Sequence, residues 1–183
     1  MSPRLLAMAL APLLGLFIIA LGNGLLYSLT TLRLGEAGES ATMIGIVSSG
    51  FFIGLTLGAI FNDRLILRIG HIRAYSSFAS LIAATILLQG LFVDTWGWFA
   101  LRLLNGWATV GVFLVIESWL LLAGDAKIRG RLLALYMIAL YGAGVLGQAM
   151  LGELVSLGAS APFTVAGMLA ALSVLPIVIL PRV

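Results

Sequence analysis

The sequence predicts an all-α membrane protein with six transmembrane helices. Of the 183 residues, 62% are apolar and 9% are charged, whereas soluble domains carry about 25% charged residues. The mean hydropathy is +1.18. Apolar segments of about 20 residues, long enough to cross a hydrocarbon core of ~30 Å as a helix, recur along the chain. These segments are continuous rather than alternating over ~10 residues, which excludes the strands of a membrane β-barrel.

Short polar connections separate the apolar segments, so we expect no soluble domain between them. The first segment follows Arg4 but far exceeds the ~7–15 apolar residues of a secretion signal, so we expect it to remain as a membrane anchor. The predicted helices cover about residues 5–30, 41–61, 74–92, 96–122, 132–155 and 162–180 of one transmembrane domain, residues 1–183.

Basic residues predict how the chain lies in the bilayer, because cytoplasmic connections carry an excess of Lys and Arg. Only Arg33 lies on one side, whereas eight basic residues lie on the other, which predicts cytoplasmic termini. The eight are Arg4, Arg64, Arg68, Arg73, Lys127, Arg129, Arg131 and Arg182. The net charge of +3 does not indicate a nucleic-acid partner, because these residues are spaced between apolar runs.

The fourth predicted helix carries two charges inside an apolar stretch. Arg102 and Glu117 lie roughly 22 Å apart at about 1.5 Å rise per residue, so they cannot pair with each other. At about 100° per residue, Asn105, Thr109 and Phe113 share a face with both charges. A charge at the bilayer centre costs between ~3 and ~15 kcal/mol. The polar stripe therefore predicts a helix that lines a cavity.

Glycine spacing predicts where two helices meet other helices closely. Gly50, Gly54 and Gly58 repeat every four residues in the second helix. This spacing places them on one face and lets another backbone approach. Gly144 and Gly152 indicate a similar contact for the fifth helix.

The residue inventory excludes several chemistries known for six-helix proteins. Cysteine is absent, which removes thiolate metal sites. The single lysine, Lys127, lies in a connection and cannot hold retinal inside the bilayer. The single histidine, His71, lies in the predicted loop after the second helix, which excludes a haem ligand or a Ser-His protease. No phosphate-binding GxxxxGK[ST] loop is present. We therefore expect neither an enzyme nor a cofactor or metal site.

Motifs in the chain resemble those of the major facilitator superfamily, in its amino-terminal six-helix half. The stretch from Leu67 to Arg73 is similar to the loop signature Asp-Arg-x-Gly-Arg-Arg, although Leu67 replaces the aspartate and Asp63 stands where a glycine is usual. Arg102-Leu-Leu-Asn105-Gly106 resembles the Arg-x-x-Gln-Gly signature, which in relatives is linked to proton coupling, with asparagine in place of glutamine.

Further stretches resemble a YcaD-like bacterial branch of this superfamily: Glu117-Ser-Trp-Leu120, Arg129-Gly-Arg-Leu-Leu-Ala134 and Gly147-Gln148. The Gly-Pro pair common in the fifth helix of antiporters is missing. The resemblance implies two inverted three-helix repeats and a bacterial inner-membrane protein. It also implies that transport requires two six-helix halves, which rock about a central site.

These observations predict half of a secondary transporter for a small molecule, working against a second six-helix half. That half is the chain's own carboxy-terminal part, a homodimer mate or another subunit. The predicted cavity residues are Asn23, Phe51, Phe52, Arg102, Asn105, Thr109, Tyr141 and Gln148. Asn23 either faces this cavity or hydrogen-bonds between helices. Arg102 either tunes a carboxylate of the partner half or binds an anionic group directly. A membrane scaffold or sensor that retains the fold is the alternative function.

Glu117 is predicted to belong to a cytoplasmic gate rather than to the cavity. It lies about 12 Å from the helix midpoint, near the edge of the hydrocarbon core, where loop arginines come within reach. The resemblance supports this gate, because in relatives a loop arginine meets an acid here. The predicted gate residues are Asp63, Arg68, Gly70, Arg73, Glu117, Arg129 and Arg131. Alternatively, Glu117 contacts only lipid headgroups.

Overall fold

The computed structural model describes residues 3–122 and 126–179. The helices are α1 (Pro3–Glu36), α2 (Ala41–Ile69), α3 (His71–Leu91), α4 (Thr95–Leu122), α5 (Ala126–Ser156), α6 (Ala161–Leu172) and α7 (Val174–Ile179). Six spans are long and apolar enough to cross a membrane, because α6 and α7 together count as one. The predicted all-α membrane fold is thus confirmed. Of the basic residues used for orientation, Arg182 and the side chains of Arg4 and Lys127 lie outside the described part.

Helices extend past the predicted ends. The stretch 62–73, expected as a loop, is almost entirely helical, and Gly70 alone separates α2 from α3. Its φ of +85° lies where glycine is favoured, so glycine makes the sharp reversal possible. Hydropathy marks where a helix crosses lipid, whereas backbone hydrogen bonds continue the helix beyond the bilayer. The sequence motif after the second helix therefore lies on two helix ends rather than on a loop.

The last span is interrupted between α6 and α7 at Ser173. Pro176 has no N–H to donate to the carbonyl of Leu172, and its ring crowds that carbonyl. The carbonyl of Ser173, at the break, accepts a hydrogen bond from the Tyr75 hydroxyl of α3 at 3.3 Å. This bond links the break to α3 inside the bundle.

The helices pack in a pattern that repeats across the two halves of the chain. The most extensive contacts join α2 to α4 and α1 to α5, followed by α3 with α4, α3 with α6 and α1 with α6. Exchanging α1 with α4, α2 with α5 and α3 with α6 maps this set of pairs onto itself. The pattern is the one expected of two three-helix repeats.

The α2–α4 contact depends on a glycine at each of three successive turns of α2. A Cβ atom added at Gly50 would lie 2.9 Å from the Phe99 carbonyl oxygen, and one at Gly58 would lie 2.8 Å from the Trp107 oxygen. At Gly54 a Cβ would lie 2.8 Å from the Trp107 nitrogen. Because these neighbours are backbone atoms, they cannot move aside as a side chain would. The two helices therefore approach as closely as their backbones allow.

The α1–α5 contact includes Gly144, one of the two glycines expected in α5, and adds Gly147. A Cβ at Gly147 would lie 3.2 Å from the Leu25 nitrogen, and one at Gly24 would lie 2.9 Å from the Gly144 Cα atom. A Cβ at Gly144 itself or at Gly152 would have no neighbour within 4 Å. Gly152 therefore makes no close helix contact, and the crossing centres on Gly147. A four-residue repeat does not by itself determine which face a partner occupies.

The outward faces of α2 and α5 are apolar and uncovered. Only 28% of the α2 span and 22% of the α5 span are buried, against 61% for α1. Side chains such as Ile60, Ile138 and Val145 are 62%, 69% and 68% exposed. These faces are suited to lipid or to another apolar protein surface.

Replacing Gly54 with alanine is expected to lower the melting temperature of the purified protein in detergent. The added methyl carbon would overlap the Leu103 carbonyl oxygen of α4 and lie 2.8 Å from the Trp107 nitrogen, and overpacking of this kind costs about 1–3 kcal/mol. Gly45→Ala is the matched control, because it lies in the same helix and has open space around it. Equal melting temperatures for the two variants would contradict the close contact at Gly54.

Candidate functional site

A groove of about 350 Å³ lies between α1, α4 and α5 and opens at the surface of the chain. All of its lining residues are uncharged. They are Ala20, Asn23 and Tyr27 of α1, Phe113 of α4, and Leu140, Tyr141, Gly144, Val145 and Gln148 of α5. Spacings of three, four and seven residues place each set on one helix face. We refer to this set as the groove.

Asn23 lies both on the groove wall and between two helices. It is 6% exposed, and its Nδ2 donates to Thr109 Oγ1 of α4 at 3.5 Å. Its Oδ1 atom is buried and has no partner in the described part of the chain. The two roles predicted as alternatives for Asn23 therefore coexist, because a side chain at the junction of α1 and α4 borders the groove.

Arg102 lies beneath the groove wall. It is 2% exposed, and its Cζ atom lies 4.7 Å from the Phe51 ring centroid and 5.9 Å from that of Tyr27. Its Nε atom has no hydrogen-bond partner among the described residues. Aromatic faces stabilise a cation by about 0.5–2 kcal/mol, more where water is excluded. Arg102 is thus held by aromatic rings, with Tyr27 connecting it to the groove.

Asn105 lies away from the groove, between α3 and α4. Its Nδ2 donates to Thr85 Oγ1 at 3.1 Å, and it is fully buried. Three residues correspond to about 300° of helical turn, so Asn105 is offset by roughly 60° from Arg102, whereas Thr109 is offset by only about 20°. Gln89 of α3 is also buried, and neither of its amide atoms has a partner in the described ranges.

The predicted cavity residues therefore take four positions, of which Asn105 between α3 and α4 is one. Asn23, Tyr141 and Gln148 line the groove. Phe51, Arg102 and Thr109 are buried behind it. Phe52 is 58% exposed and lies outside the groove lining. Sequence reasoning did not select Tyr27 as a cavity residue, although its position four residues after Asn23 places it on the same face.

Glu117 is partly buried at the other end of α4. Its carboxylate lies beside the Tyr136 hydroxyl of α5. A salt bridge joins Arg33 to Glu36 at 2.6 Å, at the opposite end of the bundle. The other predicted gate residues, Asp63, Arg68, Gly70, Arg73, Arg129 and Arg131, are all exposed. Glu117 thus contacts a tyrosine of α5 in this arrangement.

His71 connects the α2–α3 turn to the end of α4, a contact that sequence reasoning missed. Its Nε2 lies 2.8 Å from Ser118 Oγ, and its ring stacks on Trp119 with centroids 5.9 Å apart and planes 13° apart. The Ser118 hydroxyl donates to the Val115 carbonyl at 2.9 Å. It therefore accepts from His71, which places the imidazole proton on Nε2. The turn is held directly beside Glu117.

Replacing His71 with alanine is expected to lower the melting temperature of the detergent-purified protein. The variant loses a hydrogen bond, worth about 0.5–1.5 kcal/mol, and a stacked ring. His71→Phe retains an aromatic ring on Trp119 and should show a smaller loss, whereas Arg73→Ala, at an exposed position in the same helix, is the control. Unchanged melting of His71→Ala would show that this contact does not stabilise the turn.

Comparison with known proteins gives a family match over nearly the whole chain. The family model described as Major Facilitator Superfamily matches residues 12–183. An uncharacterized MFS-type transporter of Enterobacter sp. (strain 638) is 36% identical over 142 residues, which is 78% of this chain and 37% of that protein. The MFS-type transporter YcaD of Salmonella enteritidis PT4 is 36% identical over 77% of this chain and 37% of its own length. The chain thus spans little more than a third of the relatives that it matches.

Proposed function

The chain belongs to the Major Facilitator Superfamily, and from this premise we propose that it is half of a secondary active transporter. It moves a small molecule across a bacterial cytoplasmic membrane by alternating access. The observation that carries this proposal is the open groove between α1, α4 and α5, with Arg102 buried behind its wall. In transporters built from repeats, substrate sites lie near the bilayer midplane at the interface between repeats.

A second six-helix half is proposed to cover the apolar faces of α2 and α5. The matched relatives extend well beyond the region that this chain covers, and these two helices have the least buried spans. A covering half would close the groove on its open side. Rocking of the two halves would then expose the site alternately to the two sides of the membrane.

The turn between α2 and α3 and the start of α5 are proposed to face the cytoplasm, because basic residues concentrate there. At this end Glu117 is proposed to act in the gate. Its contact with Tyr136 joins α4 to α5 in the present arrangement. Arg68 or Arg73 of the gate set would contact Glu117 in the other access state.

A membrane scaffold that retains the fold is the second candidate. Leu67 stands where the superfamily signature has an aspartate and is 82% exposed, so that position cannot form the usual gate ion pair. A chain without a working gate would bind a partner protein rather than transport a molecule.

Transport is tested by reconstituting the full-length protein in liposomes and measuring uptake over a panel of small molecules by mass spectrometry. Val145→Trp should reduce uptake at least about tenfold, because the indole fills the groove at a lining residue. Leu146→Trp adds the same bulk next to it, outside the groove lining, and should preserve uptake. Absence of uptake for every compound, with a stable complex to another membrane protein, would support the scaffold.

Orientation is tested by cysteine labelling, which is simplified because this chain contains no cysteine. In a full-length cysteine-free background, Arg64→Cys should react with a membrane-impermeant maleimide only in inverted vesicles. Ala37→Cys, in the connection between α1 and α2, should react only in right-side-out vesicles. Both positions are exposed. The reverse labelling would contradict the proposed orientation.

A further inference from the structure

We propose that the groove and Arg102 together bind a small organic monoanion with an apolar body. This inference rests on the proposed transport function and names the substrate class for the same site. The ligand's carboxylate, or another singly charged acid group, would reach the Arg102 guanidinium past Tyr27. Its apolar body would occupy the groove.

The first argument is the charge balance inside the bundle. Arg102 is 2% exposed within a membrane span, where an unpaired charge is costly. Arg102 forms no salt bridge within the described part of the chain. The Nε donor of Arg102 has no partner in that part of the chain. Cation–π contacts offset only part of the desolvation cost of a buried guanidinium. A counter-charge therefore has to come from another molecule or another half.

The second argument is that the groove itself repels neither an anion nor an apolar group. Its lining contains no acidic residue, so the nearby guanidinium determines the sign of the local potential. A cationic ligand would be repelled by Arg102 and would find no carboxylate in the lining. A neutral ligand would leave the cation without a counter-charge. Of the three charge classes, an anion alone gains from both the groove and Arg102.

The third argument is the position of the aromatic rings. Tyr27 lines the groove and also lies over Arg102, so one side chain separates the two parts of the site. Tyr27 is 41% exposed and meets Phe51 edge-on at 5.5 Å and 87°. A partly exposed tyrosine can change rotamer without breaking a packed core. Its rotation would open a short path from the groove to the guanidinium.

The size of the site fits the same class. A groove of about 350 Å³ lies at the lower end of the range for small-molecule pockets, about 300–1,000 Å³. Phe113 and Tyr141 on the lining offer ring surfaces for an apolar body, and Gln148 offers an amide. Planar guanidinium groups bind carboxylates through two parallel hydrogen bonds, which gives specificity as well as affinity.

The test compares three probes of nearly equal shape on the purified full-length protein: benzoate, benzamide and benzylamine. Binding is measured by calorimetry and by the shift of the melting temperature. Benzoate should bind at least about tenfold more tightly than benzamide, and benzylamine should bind no better than benzamide. Because the comparison uses wild-type protein, it decides the charge class even if no variant folds.

Variants then assign the selectivity to Arg102. Arg102→Gln should abolish the preference for benzoate over benzamide, whereas Arg102→Lys should retain part of it because the charge remains. Arg33→Gln removes a cation of the last turn of α1, outside the groove lining, and should retain the full preference. Size-exclusion profiles identify variants that fold.

Three results would overturn the proposal. The first is equal binding of benzoate and benzamide to wild type. The second is no benzoate binding at millimolar concentration, as expected if a carboxylate of the second half pairs permanently with Arg102. The third is an unchanged benzoate preference in folded Arg102→Gln. Benzoate binding without uptake of any anion would refute transport but support the anion site. Uptake of neutral molecules without benzoate binding would support transport but refute the anion site.

Discussion

The close approach of helix backbones at glycine is the constraint on which the rest of this bundle depends. Two apolar helices in lipid gain little from the hydrophobic effect, so their association relies on van der Waals contact and interhelical hydrogen bonds. Glycines supply that contact where α2 meets α4 and where α1 meets α5. Since α1 and α4 are each anchored in this way, Asn23 of one can reach Thr109 of the other. The glycine contacts therefore hold α1 and α4 where their buried polar side chains, Asn23 and Thr109, can meet.

Phe51 shows how this packing is coupled to the buried charge. Its backbone lies against Gly106, where an added Cβ would also lie 3.1 Å from the Leu55 nitrogen. Its ring lies 4.7 Å from the Arg102 guanidinium carbon. A larger residue at position 106 would therefore displace both the helix and the ring that stabilises the cation. Phe51 of α2 therefore joins packing and electrostatics. It touches Gly106 with its backbone and Arg102, one turn earlier in α4, with its ring.

The end of α4 beside the α2–α3 turn combines a rigid contact with exposed charges. His71 stacks on Trp119 and donates to Ser118, which holds the α2–α3 turn in place. Glu117 lies next in the chain and contacts Tyr136 of α5, whereas Arg68 and Arg73 lie exposed. A hydrogen bond from a tyrosine hydroxyl to a carboxylate is charge-assisted, so this contact links α4 to α5.

The sequence by itself determined the class of protein, the six spans and the presence of a charged residue that needs an interior position. Those results follow from composition and hydropathy, which are summed over many residues, and the family motifs added the arrangement in two repeats. Only the tertiary structure decided where single side chains lie. Asn105 bonds to Thr85 of α3, Gly147 rather than Gly152 meets α1, and Glu117 meets Tyr136 of α5. Helical periodicity gives the direction of a side chain from its own axis, but the partner it meets depends on how neighbouring helices are rotated, and long-range packing sets that rotation.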